Sequence, residues 1–248
     1  MGDRIDKRLP PWVPPCVQER VAVNVYHLRR LMKRAQAEIP SGAWVLDAGA
    51  GDGRFRRFFD HTHYLAVDLA AGDATWDYSG LDAVADLAAL PLADDLFDAA
   101  VCIQVLEHVP EPLTVLQGIA RVLKPGGRLY LVAPQSWHQH QKPYDFFRYT
   151  SFGLRHLLAR SGLEVIELSP MGGYFWFMSF QLQMFNYWAF SRVPTPWWRW
   201  LWLPLKAVTT LLTQVVLPLV LFYLDPLDRA KDHTLGYVCV AVKLEQAP

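Results

Sequence analysis

Between Ala43 and Ala133 short apolar runs alternate with helix-patterned stretches, and this alternation limits what the chain can fold into more than any other feature. AWVLDAG, HYLAVDLA, AVADLAAL, FDAAVCIQV and RLYLVAP are each of strand length, while GRFRRFFD and EPLTVLQGIARVLKPGG read as helices between them. Strands joined through helices need right-handed crossovers, so the expectation is an α/β fold: a mostly parallel sheet with helices on both faces. Upstream, VQERVAVNVYHLRRLMKRAQAEI repeats Val21, Val25, Leu28 and Leu31 or Met32 at helical spacing before Pro40-Ser41-Gly42, which predicts one amphipathic helix covering the core. Lys124-Pro125-Gly126-Gly127 reads as the stop of a helix and the turn into the fifth strand. SFGLRHLLARSG follows as a helix, LEVIELSP as a sixth strand and GYVCVAVKL as a last one. A lead and covering helix over 1–40 thus precede a domain over 41–248, interrupted by an aromatic insertion at 171–233.

The 24 basic and 24 acidic side chains cancel. A general nucleic-acid binder needs an excess of Lys and Arg against phosphate, so nucleic acid is not an expected partner. Cys16, Cys102 and Cys239 lie far apart and match neither a disulfide framework nor a CxxC metal site, which suits a reducing cytoplasm. The opening MGDRIDKRLPPWVPP has no apolar stretch of the signal-peptide kind, and Asp6 stands where a myristoylation motif wants Ser or Thr; neither export nor lipidation is expected.

The segment Val45-Leu46-Asp47-Ala48-Gly49-Ala50-Gly51-Asp52-Gly53 sets three glycines at alternate positions after a strand. Glycine accepts positive φ and lets a ligand approach the backbone closely, although a tight turn alone would use the same residues. A dinucleotide fingerprint would space them GxGxxG. Asp68 ends the next strand, where a carboxylate can accept both hydroxyls of a ribose. Asp86 can accept from an exocyclic amine while Leu87 packs on a purine face. Three sites on successive strand ends converge.

The ordered run VLDAGAGDG, AVDLA and ADLAALPLADDLFDAAVCIQVLEHVPEPLTVLQGIARVLKPGGRLYLVAP resembles the class I S-adenosylmethionine-dependent methyltransferases, of the type 11 kind, from Ala43 to Pro134. The resemblance implies a Rossmann-like seven-stranded sheet whose last strand runs antiparallel, supplied by the final strand pair. It implies S-adenosylmethionine as cofactor, with Asp47 and the Gly49, Gly51, Gly53 turn at the methionine part, Asp68 at the ribose, Asp86 and Leu87 at the adenine, and Gln104 on the methionine side. A sulfonium is already an activated methyl donor, so alignment and exclusion of water are the main demands on the protein.

An oxygen or nitrogen acceptor still benefits from a base, and His108 in LEHVPEP lies where the family places acceptors; a turn-capping His is the plain alternative. The loop from Gln135 to Thr150 resembles the HxxPxDxFRYT stretch of bacterial methyltransferases associated with glycan or lipid modification. It offers His140 as a second base, and Tyr144, Asp145, Arg148 and Tyr149 as acceptor contacts, with Arg148 as a clamp for an anionic group. An Asp145–Arg148 ion pair that merely fixes the loop is the competing reading. Some related quinone O-methyltransferases use a divalent metal, and His138, His140 and Glu107-His108 could supply ligands; their spacing is not diagnostic, and no metal is expected.

Between Glu167 and Asp225 the insertion has no acidic residue, its charges being Arg192, Arg199 and Lys206, and it holds Trp176, Trp188, Trp197, Trp198, Trp200 and Trp202. Aromatics with sparse cations suit a headgroup boundary, and Leu201 to Leu224 is long enough to cross a bilayer core. The flanking strands must pair in one sheet, so a single crossing is ruled out; two spans, a re-entrant hairpin or interfacial helices remain, with a lid or homodimer interface as the soluble alternative. The expectation is a methyltransferase at the inner face of the membrane acting on a hydrophobic, lipid-linked or glycan-type small molecule. A nucleotide-binding oxidoreductase and a non-catalytic membrane scaffold are the alternatives.

Overall fold

The computed structural model describes residues 14–22, 25–72, 76–191 and 199–244. In chain order these form α1 (Pro15–Val21), α2 (Tyr26–Glu38), β1 (Trp44–Ala48), β2 (His63–Asp68), β3 (Ala83–Val84), β4 (Phe97–Ile103), α3 (Pro112–Val122), β5 (Leu123–Pro134), α4 (Ser151–Arg160), β6 (Leu163–Pro170), α5 (Tyr174–Ser191), α6 (Arg199–Leu211), a π turn (Leu212–Val216), α7 (Leu217–Leu224) and β7 (Gly236–Lys243). The chain divides into two compact units, one built on 28–169 with 236–244, the other on 14–27 with 170–235. The expected division, with the lead as its own segment, is therefore not the one found: α1 groups with the insertion.

In the first unit the strand order is β3-β2-β1-β4-β5-β7-β6. β1 runs parallel to β2 and β4, β2 to β3, and β4 to β5, while β7 is antiparallel to β5. This is the Rossmann-like sheet with a reversed last strand that the sequence predicts. Alternation along the strands sends Leu46, Ala48, Ala100, Cys102, Leu129 and Leu131 to one face, where they pack with Val115, Leu116 and Ile119 of α3 and Leu154 and Leu158 of α4. Tyr130 points to the other face, and its hydroxyl donates to Glu38 Oε2 of α2 at 2.8 Å. Leu28, Leu31, Met32 and Ala35 give α2 one buried stripe. Helices therefore cover both faces.

Three local expectations need correction. The predicted N-terminal helix is two helices, because Ala22 leaves helical backbone at ψ 69°. GRFRRFFD, read as a helix, yields only a 3-10 turn at Arg56–Phe58. Gly126-Gly127 does not stop α3: the helix ends at Val122, Leu123 already pairs with Phe97, and the glycines lie in the register break before Arg128 pairs with Ala99.

Candidate functional site

Because β1 to β4 are parallel, their carboxyl ends open on one edge, the place where open α/β sheets bind ligands. Gly49, Gly51 and Gly53 all lie at positive φ (84°, 56° and 68°). A Cβ on Gly49 would clash with the Val105 side chain, and one on Gly51 would stand 2.9 Å from the Trp76 ring, so the turn needs glycine for space as well as for conformation. Asp68 ties this turn to β2: its Oδ2 accepts the Gly51 N–H at 2.9 Å and its Oδ1 the Ala70 N–H at 2.8 Å.

Asp47 lies 1 % exposed on β1. The Tyr64 hydroxyl donates to its Oδ2, and its Oδ1 has no hydrogen-bond partner. Burial pushes its pKa up to about 7, against the pull of the Tyr64 hydrogen bond, and the nearby Asp68 charge adds to the rise. An unpaired, buried carboxylate oxygen beside a glycine cradle fits a ligand carrying a cationic group. Neither Tyr64 nor Trp76 was singled out from the sequence; the signal for Tyr64 was available, since alternation puts it on the face of β2 that carries Asp68.

Asp86 caps the 3-10 turn Leu87–Ala89, its Oδ1 accepting from the Ala88 N–H at 2.9 Å. Leu87 does not present its side chain to a purine: it is buried in the core cluster with Leu90 and Leu116, where apolar surface leaves water at less cost. Gln104 follows β4 at φ 54°, a conformation that non-glycine residues adopt mainly where surrounding structure holds them.

The next turn, Leu106–His108, is clasped by the loop after β5. Tyr149 donates its hydroxyl to the Leu106 carbonyl (2.6 Å), the N–H groups of Phe146 and Phe147 donate to the Glu107 carbonyl (2.7 and 3.3 Å), and His108 Nδ1 donates to the Tyr144 carbonyl (2.5 Å). That last bond puts the His108 proton on Nδ1 and leaves a lone pair on Nε2, which is buried without a hydrogen-bond partner. Burial lowers the His108 pKa, as does the adjacent His140, while the Tyr144 carbonyl and the Asp145 carboxylate work the other way. His140 faces His108 edge-on at 4.6 Å between ring centres, and ligand atoms of Glu107, His108 and His140 lie within 4.8 Å of one another. One carboxylate and two imidazoles form a donor set of the kind that holds divalent transition metals, and His138 is not part of it.

Two expected acceptor contacts are structural instead. Arg148 spends all five N–H donors inside the loop: Nε on the Trp137 carbonyl, Nη1 on Asp145 Oδ1 and the Phe147 carbonyl, Nη2 on the His138 carbonyl and Asp145 Oδ2. Nothing is left to clamp an anion, and the Asp145 carboxylate, which also accepts the His140 N–H, is held down at about 2 by the guanidinium in spite of the opposing effect of burial. Tyr149 is buried with its hydroxyl on Leu106, so it serves the loop too. Tyr144 keeps an exposed side chain.

Residues 46–131 match the family model described as a methyltransferase domain. The chain is 35% identical over 135 residues to a ubiquinone biosynthesis O-methyltransferase of Xylella fastidiosa (strain 9a5c), an alignment covering 48% of this chain and 52% of that one. It is 34% identical over 124 residues to the protein of that name from Xanthomonas axonopodis pv. citri (strain 306), covering 44% and 49%. The chain thus spans about half the length of the curated relatives it matches. Among solved structures it resembles the [4+2]-cyclase SpnF (TM-score 0.56, 19% identity, 91% of this chain and 82% of that one). It also resembles an S-adenosylmethionine-dependent methyltransferase from Methanosarcina mazei (TM-score 0.51, 16% identity, 86% and 98%). These likenesses establish the fold; a cyclase among them shows that fold alone does not fix the reaction. Sheet order, glycine turn and matched model together define a class I methyltransferase domain. Residues 46–131 match a methyltransferase domain, and S-adenosylmethionine is the cofactor of the methyltransferases this chain is similar to.

Proposed function

We propose that this protein transfers a methyl group from S-adenosylmethionine to an oxygen or nitrogen of a hydrophobic small molecule, with an aromatic hydroxyl as the first choice. The observation that carries the reading is the pairing, along one sheet edge, of a glycine cradle and unpaired Asp47 oxygen with a half-buried His108 whose Nε2 has no hydrogen-bond partner. In this reading Asp47 and the glycine turn hold the methionine part, Asp68 the ribose through the second lone pairs of its oxygens, Asp86 and the backbone at Leu87 the adenine, and Gln104 flanks the sulfonium side. The bound cofactor supplies an activated methyl cation equivalent. His108 Nε2 takes the acceptor's proton, its tautomer fixed by the Tyr144 carbonyl; His140 stands beside it, and Tyr144 offers an aromatic face to the acceptor. The names of the relatives, ubiquinone biosynthesis O-methyltransferases, support an oxygen acceptor. The apolar insertion supports an acceptor drawn from a membrane and a location at its cytoplasmic face.

Calorimetric titration of the full chain with S-adenosylmethionine, S-adenosylhomocysteine and NADH tests the cofactor site. The expected outcome is that the two sulfur compounds bind and NADH does not. Asp68→Ala weakens binding by about 1.5–3 kcal/mol, and Gly51→Val, strained at φ 56° and pressed on Trp76, weakens it further. Unchanged affinity in both variants rejects the assignment.

A further inference from the structure

The second unit buries polar side chains beside apolar ones such as Trp176 and Phe180, and turns further apolar side chains outward. Along α5 the outward stripe is Tyr174, Met178, Gln181, Phe185 and Trp188, four of the five aromatic or apolar. The inward stripe includes Ser179, Gln183 and Asn186. Asn186 Nδ2 donates to Thr210 Oγ1 at 3.3 Å, Gln214 Nε2 to the Gln183 carbonyl at 3.1 Å, and Gln183 Nε2 to the Val21 carbonyl of α1 at 2.8 Å. On the far limb Val208, Leu211, Val216 and Val220 face outward at 55%, 47%, 39% and 49% exposure, while Ser179 and Asn186 are 2% and 9% exposed. A water-soluble helix pair keeps its outward faces mainly polar, whereas here the outward faces are mainly apolar.

These contacts also fix direction. Later residues of α5 meet earlier residues of the second limb, Gln183 against Gln214 and Asn186 against Thr210, so α5 and the α6–α7 limb are antiparallel. At the base Asp225 Oδ1 accepts the N–H groups of Gly173 (2.8 Å) and Trp176 (3.2 Å), and Asp228 Oδ2 that of Tyr174 (2.7 Å). The insertion is a closed hairpin whose two ends lie together.

Its limbs match a bilayer in length. α5 has 18 residues and no charge, and 207–224 is likewise uncharged between Lys206 and Asp225. At 1.5 Å per residue each limb is about 27 Å long, close to a hydrocarbon core of about 30 Å. The helix Leu203–Leu227 has a mean hydropathy of 2.0 in its most apolar stretch, of which 6% is buried. Charges gather at the base in Asp225, Asp228, Arg229, Lys231 and Asp232.

We propose that the α5–α6–α7 hairpin inserts into the hydrocarbon region of a phospholipid bilayer and returns to the side it entered from, with Asn186, Thr210 and Gln214 hydrogen-bonded between the limbs. The inference deepens the membrane-borne reading of the acceptor and rests on it. It resolves the topological conflict noted in the sequence, because both flanking strands emerge on one side.

The test uses the full chain, with Cys16 replaced by Ser, in vesicles of phosphatidylcholine and phosphatidylglycerol at 3:1. Nitroxide labels go on single cysteines at Val208, Val216 and Val220, with a control on the exposed Val84 of β3. Expected are flotation with the vesicles, release by detergent but not by carbonate at high pH, and at least fivefold greater relaxation by oxygen than by an aqueous nickel chelate at the three hairpin positions, with the reverse at Val84. Protein that stays in solution as a monomer or dimer, or hairpin labels open to the nickel chelate, overturns the proposal. Calorimetry with S-adenosylmethionine on the same preparation separates the two readings: cofactor binding without insertion rejects the hairpin alone, and loss of both rejects the cofactor site as well.

Discussion

Asp225 Oδ1 accepts the Gly173 N–H across 52 residues of chain, closing the insertion at its base. The same carboxylate takes the Trp176 N–H and, through Oδ2, the Lys231 ammonium at 2.7 Å, so one side chain satisfies the start of α5 and pins the end of the second limb to it. Asp225→Ala strands these donors in a site only 4% exposed and costs about 2–3 kcal/mol. Denaturant melting of the full chain in a mild detergent measures it, and Asp225→Asn, which keeps an acceptor oxygen, loses less. An unchanged melt in both variants removes Asp225 from this role.

Asp47 carries a second prediction. Burial raises its pKa to about 7, so near neutral pH a sizeable fraction of the folded protein holds a proton there. A cationic methionine part favours the carboxylate, lowers the pKa and expels that proton, about half a proton per cofactor at pH 7. Calorimetric enthalpies in buffers of different ionisation heat report the number, and Asp47→Asn abolishes it. Binding without proton release in the parent protein contradicts the placement of the cation.

The His108 base has a signature in pH. Its folded pKa lies below the ordinary imidazole value, so the neutral form persists as pH falls and is lost only below about 6.5. The acid limb of kcat/KM therefore lies below that value, and His108→Ala lowers turnover about 10²–10⁴-fold with cofactor affinity nearly intact. An acid limb at 7 or above, or a loss under about threefold, returns His108 to a capping role.

The same geometry makes zinc an inhibitor. Glu107, His108 and His140 can grip the ion, and the Nε2 lone pair that binds metal is the one that takes the proton. Micromolar zinc stops turnover, EDTA restores it, and EDTA alone does nothing. Stimulation by zinc would falsify the free-base reading.

Most of the sheet and the glycine turn were legible because their information is local: strand-length apolar runs, a glycine at each positive-φ position of the turn after β1, and a carboxylate at the end of β2. What was not legible depends on partners distant in sequence. Leu87 reads as a ligand platform until α3 is seen to claim it for the core. The helix expected at Gly53–Asp60 is only a 3-10 turn, and its arginines pair outside it, Arg54 with Asp52 and Arg56 with Asp82. The insertion's polar seam escapes a one-helix view, since Gln183, Asn186 and Gln214 find their partners in Val21, Thr210 and the Gln183 carbonyl, all distant in sequence.

Arg148 shows the same dependence and supplies the last prediction. A guanidinium has five N–H donors in a fixed fork and an ammonium three around a point, so Arg148→Lys cannot hold Trp137, His138, Phe147 and both Asp145 oxygens together. The loop it secures carries the Tyr144 carbonyl that orients His108. Loosening it lets water reach the imidazole, so Arg148→Lys lowers kcat about 10–100-fold, moves the acid limb up toward the ordinary imidazole value and leaves cofactor affinity unchanged. A clamp on an anionic acceptor gives another pattern: KM rises, while kcat and the pH profile hold. Steady-state kinetics across pH on this one variant tells the two apart, and the second pattern would return Arg148 to the acceptor site.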